Sequence, residues 1–279
     1  MNMINKYKGL ITGFILPAAA VIIASMVNKW LGIGVLAVYL LVFVYISRAS
    51  IYTLIGTRSY GLGKMDDAIK WFGKAYATNR ASIRTSASYV YLLLKNRELD
   101  KADEILQKIM GKNIQSQDLP YIKSIKALVL WKKGELDNAA AILEEVIQTY
   151  KTTSVYGSLG CMLILQGDLE KALQFNLEAY DYNSSDNIIN DNLGQNYYLL
   201  GMYDKAGEVY EKLIAKAPTF PEPYYNYGLL LEKQESFDKA LEMMRKAMDQ
   251  KFTYLSTITK EDVEAAIKRL ESIAGNQEQ

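Results

Sequence analysis

The chain has 279 residues, half of them hydrophobic, and its 32 Lys and Arg stand against 31 Asp and Glu for a formal net charge of +1. That balance, with the basic residues scattered among acidic ones, excludes nucleic acid as the principal ligand. The complete absence of histidine excludes histidine-based triads, metal sites and proton relays, and the single cysteine, Cys161, excludes an intrachain disulfide.

The whole-chain average hides an apolar beginning. No charge occurs between Lys8 and Lys29, and none between Lys29 and Arg48. As helices, Gly9 to Val27 and Trp30 to Ser47 would rise roughly 28 and 27 Å, close to the ~30 Å hydrocarbon core of a bilayer. Lys6 and Lys8 before Leu10 to Ala24 also read as a cleaved signal peptide. The second apolar run argues against that, because cleavage would leave Leu31 to Ile46 exposed at the start of a mature chain. The two runs are expected to form an antiparallel pair over residues 9–47, with helices of about 9–27 and 30–47 joined near Asn28 and Lys29. A hairpin that dips into one leaflet and returns stays open, given so short a connection.

Basic residues set the orientation. Lys6 and Lys8 precede the first helix, Arg48, Arg58 and Lys64 follow the second, and only Lys29 lies in the turn, so residues 1–8 and everything after residue 47 are expected on the cytoplasmic side. Trp30 and Tyr45 suit the interfaces, Tyr39 is placed to pack on the first helix, and Pro17 should kink that helix. The Gly9 to Gly13 spacing permits close helix approach, within the hairpin or between copies.

From Arg48 the pattern changes to a recurring signature: a turn residue, two variable positions, usually Asp, one more residue, then Ala. It reads Gly63-Lys64-Met65-Asp66-Asp67-Ala68, Arg97-Glu98-Leu99-Asp100-Lys101-Ala102 and Gly134-Glu135-Leu136-Asp137-Asn138-Ala139. It returns as Gly167-Asp168-Leu169-Glu170-Lys171-Ala172, Gly201-Met202-Tyr203-Asp204-Lys205-Ala206 and Glu235-Ser236-Phe237-Asp238-Lys239-Ala240. Successive alanines lie 34, 37, 33, 34 and 34 residues apart. A turn Gly ends one helix in a left-handed conformation and the following Asp is expected to cap the next.

These residues resemble the tetratricopeptide repeat, a pair of antiparallel helices in 34 residues. Twelve residues before each marker alanine the family places a small residue where the helices cross, and here stand Gly56, Val90, Ala127, Gly160, Gly194 and Gly228, of which only Val90 in the second repeat departs. Four residues after the marker it prefers a large ring. Phe72 and Tyr210 match, Leu106, Leu143 and Met244 match loosely, and Asn176 departs. Seven residues after come Ala75, Ile109, Val146, Ala179, Leu213 and Ala247, and the closing proline survives as Pro218. With the transmembrane hairpin read from the apolar runs, the resemblance implies an all-α fold: a right-handed α-solenoid of about six helix pairs over residues 48–251, and a capping helix with a polar tail over 252–279. Val263, Ala266, Ile267 and Leu270 give the apolar face of that capping helix from Glu261 to Ile273, with Thr259 as its cap and Asp262 three residues on. No Pro or polar linker separates the second apolar segment from the first repeat, so one continuous helix is expected, with a break near Arg48 or Ser50 as the alternative. Gly111 to Asp118 marks the longest loop.

Chemistry for catalysis is missing. Cys161 follows the crossing Gly160 and reads as a packed small residue, carboxylate pairs such as Asp66-Asp67 and Glu144-Glu145 fall at helix starts or on solvated faces, and no phosphate-binding glycine motif occurs. The expectation is a non-enzyme with no cofactor and no metal. The resemblance implies binding of proteins or peptides on the first helix of each repeat, which lines the concave face. Asp191, Asn192, Gln195 and Tyr198 are the candidates in the fifth repeat; Tyr225, Asn226 and Leu229, beside Glu222, are those in the sixth. The amides would hold a peptide backbone and the tyrosines would supply contact area. The family's clamp for chaperone tails needs Lys and Asn, then Asn, then Lys and Arg in three successive repeats. The last three repeats offer Gly157 and Cys161, Asn192, then Glu222 and Asn226. The first three offer Thr53 and Thr57, Ser88, then Tyr121 and Ile125. Neither set makes the clamp. The reading is therefore an integral protein of a bacterial cell membrane, contacting the lipid bilayer through its hairpin and presenting a cytoplasmic scaffold to protein partners. The alternative is a structural membrane protein that self-assembles as a homo-oligomer.

Overall fold

The computed structural model describes residues 11–277, and among them the chain is helical, with fourteen α-helices and no strand. Lys6, Lys8 and Gly9, and with them the Gly9 to Gly13 spacing, lie outside the described residues. The chain divides into two compact units, Met1–Thr85 and Ser86–Gln279.

In the first unit a π-helical turn, Ile11–Ile15, runs into α1 (Leu16–Val27), a single extended residue, Asn28, reverses the chain, and α2 (Lys29–Gly61) returns. Pro17 therefore lies where a widened turn becomes α-helix, which relieves the clash its ring would make with the preceding carbonyls. Asn28 makes the one-residue reversal workable, because its side chain accepts from the Trp30 amide at 2.8 Å. The helices run antiparallel: Gly32 meets Ser25 near the reversal, and Phe14 and Phe43 lie with ring centroids 6.3 Å apart far from it. Tyr39 does pack on the first segment, donating to the Gly13 carbonyl at 2.6 Å.

α2 continues unbroken for 33 residues, so residue 48 falls inside a helix and the alternative break near Arg48 or Ser50 is absent. Thr53 turns its hydroxyl back onto the Ala49 carbonyl at 2.8 Å, which removes it from competition with solvent. By length and composition α2 is the one described helix able to cross a membrane; the apolar helix before it, Thr12–Val27, is shorter. Large apolar side chains from Phe14 to Leu54 stand exposed on this pair. The C-terminal part of α2 then pairs with α3 (Met65–Ala77) as the first repeat.

α4 (Ile83–Lys95) and α5 (Leu99–Met110) form the second repeat, and α6 (Leu119–Lys132) and α7 (Leu136–Ile147) the third. α8 (Thr153–Gln166) with α9 (Leu169–Tyr182), α10 (Asn187–Leu199) with α11 (Tyr203–Ile214), and α12 (Glu222–Lys233) with α13 (Phe237–Met248) complete six. In all six the marker alanine, the residue twelve before it, and those four and seven after it are buried. The reason is a direct contact: a Cβ built on Gly194 would lie 2.8 Å from Cζ of Tyr210, one on Gly56 2.7 Å from Cδ2 of Phe72, and one on Gly228 2.8 Å from Cε of Met244. In these three repeats the glycine gives up its side-chain volume to a large residue sixteen positions later. Asn176, the departure from the family pattern, sits in the same place over Gly160; its Nδ2 donates to Asn196 Oδ1 at 3.1 Å while its own Oδ1 is buried without a hydrogen-bond partner.

α14 (Lys260–Gln277) buries Val263, Ala266 and Leu270 against the last repeat. A capping box starts it, the Asp262 amide donating to Thr259 Oγ1 at 3.1 Å and the Thr259 amide to Asp262 Oδ2 at 2.8 Å. Arg269 grips Glu232 with two 2.7 Å bonds.

The turns follow one geometry. Gly63, Gly134, Gly167 and Gly201 take φ of 74°, 86°, 89° and 73°, and Arg97 and Glu235 hold 64° and 60° at the equivalent positions. The expected Asp caps are corrected: only Asp168 caps its helix, accepting from the Lys171 amide at 3.1 Å. Asp66, Asp100, Asp137, Asp204 and Asp238 come one residue inside the helix, in the first turn, where the macrodipole favours a negative charge but no cap bond forms. A left-handed non-glycine residue costs about 1–2 kcal/mol, and Gly gives part of that back to unfolded-chain entropy. Glu235→Gly should therefore stabilise the chain by about 0.5–1 kcal/mol and Gly201→Ala should destabilise it. Urea unfolding followed by circular dichroism checks both directions, and a neutral Glu235→Gly would refute the strain.

Candidate functional site

The candidate face belongs to the second unit, where α4, α6, α8, α10 and α12 are the first helices of their repeats. The amides expected to hold a ligand are instead used between neighbouring first helices. Asn192 is 4% exposed and donates through Nδ2 to the Gly157 carbonyl of α8 at 2.8 Å. Asn226 is 3% exposed and donates through Nδ2 to Asp191 Oδ1 of α10 at 3.1 Å. Asp191 is buried as well, and its backbone carbonyl accepts from the Tyr210 hydroxyl at 3.4 Å. Three of the seven candidates thus form a polar ladder joining successive repeats. Gln195 and Tyr198 remain partly exposed, Tyr198 with its ring 5.9 Å from that of Tyr203. Tyr225 and Leu229 are partly buried against the apolar cluster of α12, α13 and α14.

A second set of polar residues converges nearby. Lys132 ends α6, Cys161 lies in α8, Asp191 in α10 and Glu222 begins α12. Glu222 acts electrostatically on each of the other three. Burial pushes the Asp191 carboxyl up to about 8, and the Glu222 charge adds to it. Burial likewise raises Glu222, opposed by hydrogen bonds from its own amide, from the Thr257 amide and from Ser256, and by the Lys132 charge. Burial lowers Lys132, while Cys161 and Glu222 pull it back up. The Cys161 residue is partly exposed, and its thiol is pushed up to about 12 by burial first, then by Asp191 and Glu222, which keeps it protonated.

These four residues stand 7, 11, 15 and 18 positions before marker alanines 139, 172, 206 and 240. Each successive first helix contributes a residue about one turn nearer its own N-terminus, so the set runs diagonally across the helices. Comparison at a fixed register picks out Asn192 and Asn226 and passes over Lys132 and Glu222; a four-residue drift per repeat would have found them. Among the described residues no group of three or more acidic, cysteine or histidine side chains is placed to hold a metal.

Asp191 gives a pH dependence whose sign is fixed. Its carboxyl titrates near 3.8 when unfolded and about 8 when folded. Between those values the unfolded chain releases a proton that the folded chain keeps, so the contribution to stability is full below about pH 4 and is lost as pH rises toward 8. Asp191→Asn keeps an oxygen for Asn226 and removes the titration. The variant should gain on wild type by up to about 1.4 kcal/mol per pH unit between pH 5 and 8. Chemical denaturation at pH 5, 6.5 and 8 measures it, and a constant difference would show Asp191 ionised throughout.

Residues 209–242 and 191–219 match two family models, each described as a tetratricopeptide repeat. A tetratricopeptide repeat-containing protein of Methanocaldococcus jannaschii is 27% identical over 157 residues, which are 56% of this chain and 24% of the relative. The chain therefore matches about a quarter of that relative's length. A crystal structure of a tetratricopeptide repeat protein from Parabacteroides merdae superposes with a TM-score of 0.62 at 15% identity, covering 81% of this chain and 85% of that one. A chain of the APC/C hetero-tetramer Cut9-Hcn1 gives 0.64 at 14% identity, covering 80% and 43%. At these identities the likeness is one of fold.

Proposed function

The chain is a tetratricopeptide-repeat protein, and from that premise we propose that it is a membrane-anchored scaffold that gathers protein or peptide partners on the first-helix, concave face of its repeats. The observation that supports an anchor is α2, whose apolar half carries no charge between Lys29 and Arg48 and passes without interruption into the first repeat. Its apolar surface is exposed, so the repeats do not bury it, and a bilayer is the solvent that suits it. At the two ends Lys29 lies 5.6 Å from the Trp30 ring and Arg48 3.8 Å from the Tyr45 ring, cations stacked on aromatic groups of the kind that settle at lipid headgroups. In this reading α1 and α2 together cross the bilayer, Asn28 lies on the outer side, and the repeats lie in the cytoplasm of a bacterial cell. Partner binding rather than catalysis follows from the family, whose members are generally scaffolds, and from the polar and aromatic residues left accessible at Gln195 and Tyr198.

The topology has a direct test. In intact cells Asn28→Cys should react with a membrane-impermeant maleimide while the unsubstituted chain, whose Cys161 is a protonated thiol, reacts slowly. Labelling of Asn28→Cys only after lysis would replace a full crossing with a hairpin confined to the inner leaflet.

Partner binding is tested by crosslinking in intact membranes followed by mass spectrometry, comparing wild type with Gln195→Ala/Tyr198→Ala. Loss of specific partners from the double variant, with its circular dichroism unchanged, is the expected result. An unchanged partner set would move binding off this face, and recovery of the chain crosslinked only to itself would favour self-assembly.

A further inference from the structure

The segment between α13 and α14 does not simply connect them. Its tip, Thr253 to Thr257, crosses the first-helix face and reaches three repeats. The Tyr254 amide donates to the Lys95 carbonyl at the end of α4 at 3.3 Å, Lys132 Nζ at the end of α6 donates to the Ser256 carbonyl at 3.4 Å, and the Thr257 amide donates to Glu222 Oε1 at the start of α12 at 2.9 Å. The Ser256 carbonyl and the Thr257 amide belong to one peptide group. Lys132 and Glu222 therefore hold the two ends of a single peptide bond, a cation on its oxygen and a carboxylate on its N–H, both contacts charge-assisted.

Three features suit a docking site better than a fixed tie. These three contacts use backbone atoms of the tip, which an uncharged peptide can supply, and the Ser256 side chain adds a hydrogen bond to Glu222 that a hydroxylated residue at the same place would repeat. Residues 253–257 have no helix or strand and none is fully buried, which places them among the easily opened parts of a fold. The ends are pinned independently: Phe252 and Ile258 pack into the apolar cluster of the last repeat, and α14 has its own cap in Thr259 and Asp262. The tip can lift while the capping helix stays.

We propose that Thr253–Thr257 is a built-in occupant of the partner-binding face, and that a short uncharged peptide segment of a partner, with an aromatic residue followed by hydroxylated ones, displaces it and is held at one peptide bond by Lys132 and Glu222. The Tyr254 ring, 5.3 Å from Lys132 Nζ, accounts for the aromatic preference. This rests on the scaffold reading and adds its regulation: the face is closed until a partner competes with the chain's own tip.

The test uses the full chain in detergent micelles and a fluorescein-labelled peptide of sequence Phe-Thr-Tyr-Leu-Ser-Thr-Ile, blocked at both ends, read by anisotropy. Thr257→Pro removes the N–H that Glu222 accepts and should free the tip. The variant should bind the peptide at least tenfold more tightly than wild type, and adding Glu222→Gln should lose most of that gain. Hydrogen exchange should show residues 253–257 deprotected in Thr257→Pro while Val263 to Leu270 keep their protection. Equal binding by wild type and variant, binding by neither, or loss of protection in α14 along with the tip would each overturn the proposal. Partners captured through Gln195 and Tyr198 in a chain whose Thr257→Pro variant ignores the peptide would leave the scaffold standing and remove only its closure.

Discussion

Everything in the repeats depends on how closely two helices can cross. A small residue on the first helix and a large one sixteen positions later on the second occupy a volume that two ordinary side chains would overfill, and the marker alanine beside them is fully buried in every repeat. Close approach brings backbones together, and tight packing then fixes the angle at which the next pair must stack, because interiors at crystal-like density tolerate little adjustment. Within the second unit each repeat inherits its position from the one before it.

That constraint explains why so much of the fold was legible in residue order. Burial at a fixed spacing is a local property, so marker alanines, turn glycines and the Thr259–Asp262 cap could be read from spacing, and the family resemblance added the crossing residues. Arg97 and Glu235 fell into register with four glycines although neither favours a left-handed backbone; the pattern located the turn better than propensity would have. The Asp caps failed because the turn sets the helix start one residue earlier than the carboxylate, leaving Asp66 and its equivalents inside the first turn.

The candidate face was less legible, and the reason is geometric. Asn192 and Asn226 occupy a register that the family resemblance implied would face a ligand, yet the amides meet Gly157 and Asp191 of the neighbouring first helix. Which side of a helix is free depends on the twist between repeats, a property of the stack and not of one repeat. Lys132, Cys161, Asp191 and Glu222 come from four different first helices at a drifting register, and the tip at Ser256 meets Lys132 across 124 residues of chain, a separation no periodicity encodes. Asn176 remains a cost without a visible return: a buried oxygen without a partner, in a position its sister repeats fill with Phe72, Tyr210 or Met244.

The unbroken α2 carries a mechanical consequence. A helix turns ~100° and advances ~1.5 Å with each residue, so the number of residues between its apolar half and Gly56 is also a rotational setting. One residue gained or lost near Ser50 would leave both ends chemically intact yet swing the first repeat about a quarter-turn around the helix axis, whereas a change of seven would nearly restore its heading. In this part of the chain length acts as an angle, and selection on it would appear as a strict count of residues whose identities are free to vary.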